Sequence, residues 1–224
     1  MGQQFSKTNN FRQLLRKSLD AHVSLATIRV GKDQPIYVSG DSADMVYFIE
    51  SGQIKLLMVS QGGKECLLAI HTEGDIFGEL CLAGSISRQE AAIAMEDTVL
   101  KVIPCRIFFG CLSSHSLLEG FAQHLAMRIC EQERIIATLL TVDSEHRLGE
   151  ALLLLARKLG KPDPQSTRIE YKITHEDLSR MVGTTRPRVT HFLSRFRGLG
   201  LIEMSSEHRL IVNEKKLASY LKPA

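Results

Sequence analysis

Between Thr174 and Val212 the sequence sets a helix cap, an amphipathic stretch, a glycine, a second amphipathic stretch and two β-rich runs around a serine turn. Few folds accept that order. Thr174 is followed three residues later by Asp177, the spacing at which a cap hydroxyl and a carboxylate satisfy each other's backbone N–H groups. The helix it starts would bury Leu178, Met181 and Val182, and Gly183 would end it. Thr184 or Thr185 would cap the next helix, with Pro187 in its first turn, where a missing N–H does no harm. Val189, Phe192, Leu193 and Phe196 then repeat at helical spacing and would face inward. Gly198 and Gly200 end that helix, and 201–204 with 209–212 make a hairpin. The spacing is that of a helix-turn-helix followed by a wing.

The outward face of the second helix carries Arg186, Arg188, Thr190, His191, Arg195 and Arg197. A helix laid in a DNA major groove offers its N-terminal residues to base edges. An arginine there takes guanine O6 and N7 with two hydrogen bonds. Threonine hydroxyls and the helix N-terminus suit phosphate oxygens. The candidate DNA-binding residues are therefore Thr174, Thr184, Thr185, Arg186, Arg188, Thr190, His191 and Arg195. Charge agrees: residues 144–224 hold 15 Lys+Arg against 9 Asp+Glu, whereas 1–143 hold 13 against 16.

From about residue 25 to 110 the chain reads as many short strands. Met45–Ile49, Ile54–Val59 and Cys66–Ile70 are apolar runs separated by the turn pairs Gly40-Asp41, Ser51-Gly52, Gly62-Gly63 and Gly74-Asp75. That spacing suggests a sandwich or barrel. After Cys111 the pattern changes. Residues 116–142 contain no proline and no glycine beyond Gly120, and Leu118, Leu125, Gln132 and Leu139 fall seven apart, as do Ala122, Ile129, Ile136 and Asp143. This heptad seam predicts a long helix that pairs with a second copy through Leu118, Phe121, Leu125, Ile129, Gln132, Ile136 and Leu139. A core helix packed on its own domain would give a similar pattern. A further amphipathic helix over 145–158 should stop at Gly160. A loop over 161–164 and a short strand over 169–173 should follow.

A second informative stretch runs from Gly74 to Leu82, followed by Arg88. Successive backbone N–H groups near a glycine turn can cradle a phosphate, an arginine can complete the site, and Glu79 suits a ribose hydroxyl. A turn with a surface ion pair would look the same. Composition excludes other classes. The five cysteines (Cys66, Cys81, Cys105, Cys111, Cys130) form no CxxC and read as reduced thiols. No metal-spaced His/Cys set, catalytic triad or P-loop is present, so neither a metal site nor an enzyme is expected. No apolar run is long enough to span a membrane, and the N-terminus reads as a polar lead into a short amphipathic helix, so a cytoplasmic protein is expected.

These motifs together resemble the Crp/Fnr family of bacterial transcription regulators. The sensor half of the resemblance rests on residues 46–52, 74–80 and Arg88. The DNA-binding half rests on Ile173-Thr174, Gly183-Thr184-Thr185-Arg186, Val189 and Gly200-Leu201-Ile202. The resemblance implies an α+β chain with an N-terminal double-stranded β-helix (a jelly-roll-like β-roll), a long dimerisation helix and a C-terminal winged helix-turn-helix. Their bounds would be 1–111, 112–143 and 144–224. It implies a homodimer on a pseudo-palindromic DNA operator, acting with RNA polymerase, and a cyclic nucleotide as effector. Gly78, Glu79, Leu80, Cys81, Arg88 and Gln89, with Gln132 and Glu133 on the long helix, become the candidate ligand residues. Glu79 would hold the ribose 2′-OH and Arg88 the cyclic phosphate.

The chain departs from the family's pattern in places. Gln89 replaces a small hydroxyl residue, Glu90 follows it, and Gln132 and Glu133 fall where cAMP-binding members carry hydroxyls. cAMP, cGMP, a cyclic dinucleotide and a vestigial pocket all stay open, as do gating by redox chemistry or by haem on His71, His115 or His124 and, as an alternative function, a cyclic-nucleotide-binding regulatory module. Pro187 and His191 also depart from the family's best-known base readers, so a different half-site is expected.

Overall fold

A computed structural model of the chain describes residues 2–21, 24–113, 115–163, 166–171, 173–207 and 209–222; the side chains of 2–10, His115 and Asp163 fall outside the description. The chain forms two compact units, 1–132 and 133–224.

The first unit opens with helix α1 (Gly2–Asp20), longer than the short helix expected. Phe11, Leu15 and Leu19, four apart, form its buried stripe. Eight strands follow: β1 (Ala26–Val30), β2 (Pro35–Tyr37), β3 (Met45–Ser51), β4 (Gln53–Val59), β5 (Glu65–Thr72), β6 (Ile76–Phe77), β7 (Ala91–Ala94) and β8 (Thr98–Pro104). They make two antiparallel four-stranded sheets, ordered β1-β8-β3-β6 and β2-β7-β4-β5. This is the β-roll that the family resemblance implied, and its two sheets agree with the sandwich or barrel expected from the turn spacing.

Strand β3 shows why its apolar run is continuous. Tyr47 and Ile49 enter a cluster with Tyr37, Ile54, Leu56, Phe77 and Leu100. Val46 and Phe48, on the other face, pack with α1 and with two helices after the roll, α2 (Cys105–Cys111) and α3 (His115–Thr141). A strand covered on both faces loses the polar–apolar alternation of a half-exposed one.

Helix α3 has 27 residues and no break, so it is about 40 Å long. Leu118, Ile129, Ile136 and Leu139 of the heptad stripe are exposed at 53%, 55%, 57% and 44%. Leu125 is half-buried, and the Phe121 ring is buried among Phe11, Phe108 and His124, away from that stripe.

In the second unit the end of α3 is followed by α4 (Ser144–Leu159), capped by Asp143, whose carboxylate accepts from the His146 backbone N–H. Two expectations need correction. Residues 161–163 of the expected 161–164 loop lie instead in strand β9 (Gly160–Asp163), residue 164 is outside the described residues, and the following strand β10 is Ser166–Ile169, not 169–173. β9 pairs with β10 at the sheet edge, where Pro162 is tolerated. Glu170 leaves the sheet and gathers Lys161, Arg168 and Arg209. Helices α5 (His175–Val182) and α6 (Arg186–Gly198), strands β11 (Ile202–Met204) and β12 (Leu210–Val212), and helix α7 (Glu214–Tyr220) complete the unit. Its sheet is ordered β11-β12-β10-β9. Among the described residues no helix is long and apolar enough to cross a membrane.

Candidate functional site

The Gly74–Leu82 segment folds as a tight connection from β6 into one 3-10 turn, Glu79–Ala83. Gly78 starts the turn with φ 82°, and a Cβ there would meet an Arg88 Nη atom at 2.8 Å. Only glycine accepts both the backbone angle and the guanidinium beside it. The turn is anchored from below by Asp75, which is buried, accepts from the Thr72 backbone N–H at 2.9 Å and pairs with Arg12 of α1.

Arg88 is buried at 3% exposure. Nη1 donates to the Gly78 carbonyl at 2.8 Å, and Nη2 donates to the Met45 carbonyl. The guanidinium lies 4.3 Å from the Tyr37 ring centroid, a cation–π contact, and its Nε makes no hydrogen bond among the described residues. Tyr37 in turn donates its hydroxyl to Glu90 at 3.0 Å. Burial pushes the Tyr37 phenol well above its ordinary range, and Glu90 adds to the shift. Glu90 thus points inward and is buried, whereas Gln89 beside it is exposed.

The Glu79 carboxylate is buried and pairs with Arg128 of α3. Leu80 is exposed and Cys81 is buried. The structure therefore brings Gly78, Glu79 and Arg88 into one cassette, with Gln132 and Glu133 exposed on α3. Sequence reasoning missed Tyr37, the Met45 carbonyl and Arg128. Arg128 carried a signal: it is the only Lys or Arg between positions 107 and 133. The two histidines raised for haem that the structure describes sit in aromatic surroundings, His71 on Phe77 and His124 on Phe11. The side chain of His115 lies outside the described residues.

In the second unit Thr174 and Asp177 form the reciprocal capping box. Gly183 turns the chain with φ 68°, and Thr185 caps α6 through its backbone alone. Val189, Phe192, Leu193 and Phe196 are buried, as their spacing required. Arg186, Arg188, Thr190, His191 and Arg195 are exposed, and Thr184 is half-buried. They are not equivalent. Arg188 and His191 lie against the Phe192 ring. Thr190 Oγ1 stands 2.9 Å from His175 Nδ1 and donates to the Arg186 carbonyl. Arg195, near the end of α6, donates to Glu145 at 3.0 Å. The first half of α6 thus presents two arginines and a histidine outward, while Arg195 is tied back to α4.

Residues 27–115 match the family model of the cyclic nucleotide-binding domain, and residues 146–220 match that of the Crp-like helix-turn-helix domain. The chain is 33% identical over 190 residues to a global nitrogen regulator of Synechocystis sp., covering 84% of both chains. It is 28% identical over 172 residues to a cyclic AMP receptor protein of Thermus thermophilus, covering 76% of each. Among solved structures, a CooA variant from Carboxydothermus hydrogenoformans superposes with a TM-score of 0.74 at 25% identity, over 88% of both chains.

Proposed function

The chain belongs to the Crp/Fnr family of DNA-binding transcription regulators, and from that footing we propose how it reads DNA and what switches it. Two copies pair through α3 and place two α6 helices in successive major grooves of a pseudo-palindromic operator, about 34 Å apart. Arg186, Arg188 and His191 face the bases. Thr174, Thr184, Thr185 and Thr190 serve the phosphates. Arg195 reaches DNA only by leaving Glu145. The observation that carries this reading is the division of α6 into a wholly buried apolar face and an outward basic N-terminal half. Selection of bound duplexes from a random pool tests it. One recurrent inverted repeat, protected over two adjacent major grooves, is the expected result; an unselected pool rejects it.

Residues 1–111 are the sensor, 112–143 the dimer helix and 144–224 the reader. The regulator works in the cytoplasm beside RNA polymerase. Its effector is a cyclic nucleotide held in the cassette, with Arg88 on the phosphate and Glu79 on the ribose; the match to the cyclic nucleotide-binding model supports this. Gly78, Leu80 and Cys81 frame the ligand, and Gln89, Gln132 and Glu133 border it. Binding must exchange the Met45 and Gly78 carbonyls on Arg88, and Arg128 on Glu79, for ligand oxygens. The buried Glu90 and the Glu79–Arg128 pair favour a second reading, in which the cassette satisfies itself and no nucleotide binds. Calorimetry with cAMP, cGMP and cyclic di-GMP separates the two. Heat that is lost in Arg88→Ala supports the first reading, and no heat with any of the three supports the second.

A further inference from the structure

We propose that Cys81 and Cys105 are a thiol–disulfide pair through which a hydroperoxide fastens the cassette turn to the start of α2. The two sulfurs are 2.9 Å apart, about 0.9 Å more than a disulfide bond, so closure asks for little backbone movement. Cys81 is the third residue of the Glu79–Ala83 turn, and Cys105 is the first residue of α2. Nothing in the sequence pairs them, since 24 positions separate them.

The two thiols differ in a way that assigns their order of reaction. Cys105 is half-buried and Cys81 buried, so an oxidant meets Cys105 first. Burial pushes the Cys81 thiol up to about 12, with its hydrogen bond to Cys105 adding to the shift. Burial thus favours the protonated form of Cys81, which leaves Cys105 as the thiol that meets the peroxide and Cys81 as the one that closes the bond, its proton passing to the departing hydroxide.

In the first step the Cys105 thiolate attacks one peroxide oxygen. An S–O bond forms, the O–O bond breaks, and the leaving oxygen departs as water or alcohol after taking a proton. In the second step the Cys81 sulfur attacks the Cys105 sulfur. The S–S bond forms, the S–O bond breaks, and hydroxide leaves as water with the Cys81 proton. Two thiols lose two electrons and the peroxide gains them. A small dithiol reverses the bond by exchange.

Glu79 is two residues from Cys81, so the bond holds the turn in the arrangement where Glu79 pairs with Arg128. The consequence for effector binding rests on the cassette being the effector site, as proposed above; the crosslink itself does not.

The test uses the reduced full-length protein and hydrogen peroxide, followed by maleimide trapping of the remaining thiols and peptide mapping. The expected product is a chain two hydrogens lighter that accepts two fewer maleimides and yields a linked 81–105 peptide. It should run as a monomer on a non-reducing gel and revert with dithiothreitol. Its affinity for selected operator DNA should differ about fivefold from that of the reduced protein. In Cys105→Ser, or Cys105→Ala if the serine variant folds poorly, peroxide should leave that affinity unchanged. A linkage mapped to Cys66 or Cys130 overturns the proposal, as does full alkylation of Cys81 and Cys105 after peroxide. A correct linkage with no change in DNA affinity makes the bond structural and overturns the switch. Absence of nucleotide heat in the reduced protein bears on the effector alone and leaves the peptide map intact.

Discussion

Glu79, in the turn where a nucleotide's ribose is expected, is paired with Arg128 from the middle of α3. The carboxylate is 4% exposed and the Arg128 side chain 21%. The turn and the helix are joined by one buried charge pair, so a change at either is felt at the other. Arg128→Gln leaves a buried carboxylate without its counter-charge. Breaking a fully buried pair costs about 3–5 kcal/mol; the partial exposure of Arg128 lowers the expectation to roughly 2 kcal/mol. Urea unfolding should show the loss, and an unchanged midpoint would mean that the pair contributes nothing to the fold.

Arg186→Ala should cost roughly 1–3 kcal/mol of specific DNA affinity, the value of one bidentate base contact. Affinity for unrelated duplex should move little, and the salt slope should change by less than about one counterion, because phosphate contacts set that slope. Fluorescence anisotropy over a salt series reads all three. Equal losses on both duplexes would reassign Arg186 to the backbone.

Ile136→Glu should separate the dimer without unfolding the chain. Ile136 is 57% exposed in the single chain, so a charge there meets water in the monomer and an apolar seam in the dimer. Sedimentation should show dimer dissociation shifted by roughly tenfold or more, a cost of at least about 1.4 kcal/mol. The circular dichroism of the monomer should match that of the wild type.

Alkali should weaken the β-roll from about pH 10 upward. Burial raises both Tyr37 and Tyr47 above their ordinary value of 10.0. The unfolded chain then loses protons that the folded chain keeps. A raised folded pKa gives stability that is complete below pH 10 and falls as pH rises beyond it. Thermal melts from pH 8 to pH 11 should show this fall, and Tyr37→Phe should reduce its slope. The same variant removes the hydroxyl on Glu90, so it should also lose about 1–3 kcal/mol at neutral pH.

Much of the molecule was legible in residue order because the signals were local. The Thr174–Asp177 cap, the Gly183 stop and the Val189–Phe196 stripe each act within one or two turns, and each appears where expected. The errors lie where the decision was not local. Residues 160–163 have loop composition, but the edge of a sheet accepts Pro162, and pairing with 166–169 makes them a strand. Phe121, which flanks the heptad series, turns instead toward α1 and α2, where Phe11 and Phe108 cover it.

The recognition helix and the cassette divide along the same line. By itself the sequence determined a helix with arginines at its outward N-terminal end, because glycine turns, a proline in the first turn and helical periodicity are short-range properties of the chain. Tertiary structure alone decided which charged groups are already engaged. Arg195 is drawn to Glu145, Arg88 to two carbonyls and a tyrosine ring, and Glu79 to Arg128. Each partner lies between 10 and 51 positions away in sequence, and at such separations folding, not spacing, brings the groups together; around Arg88 and Glu79, both buried, the site is too dry to leave a charge without a partner.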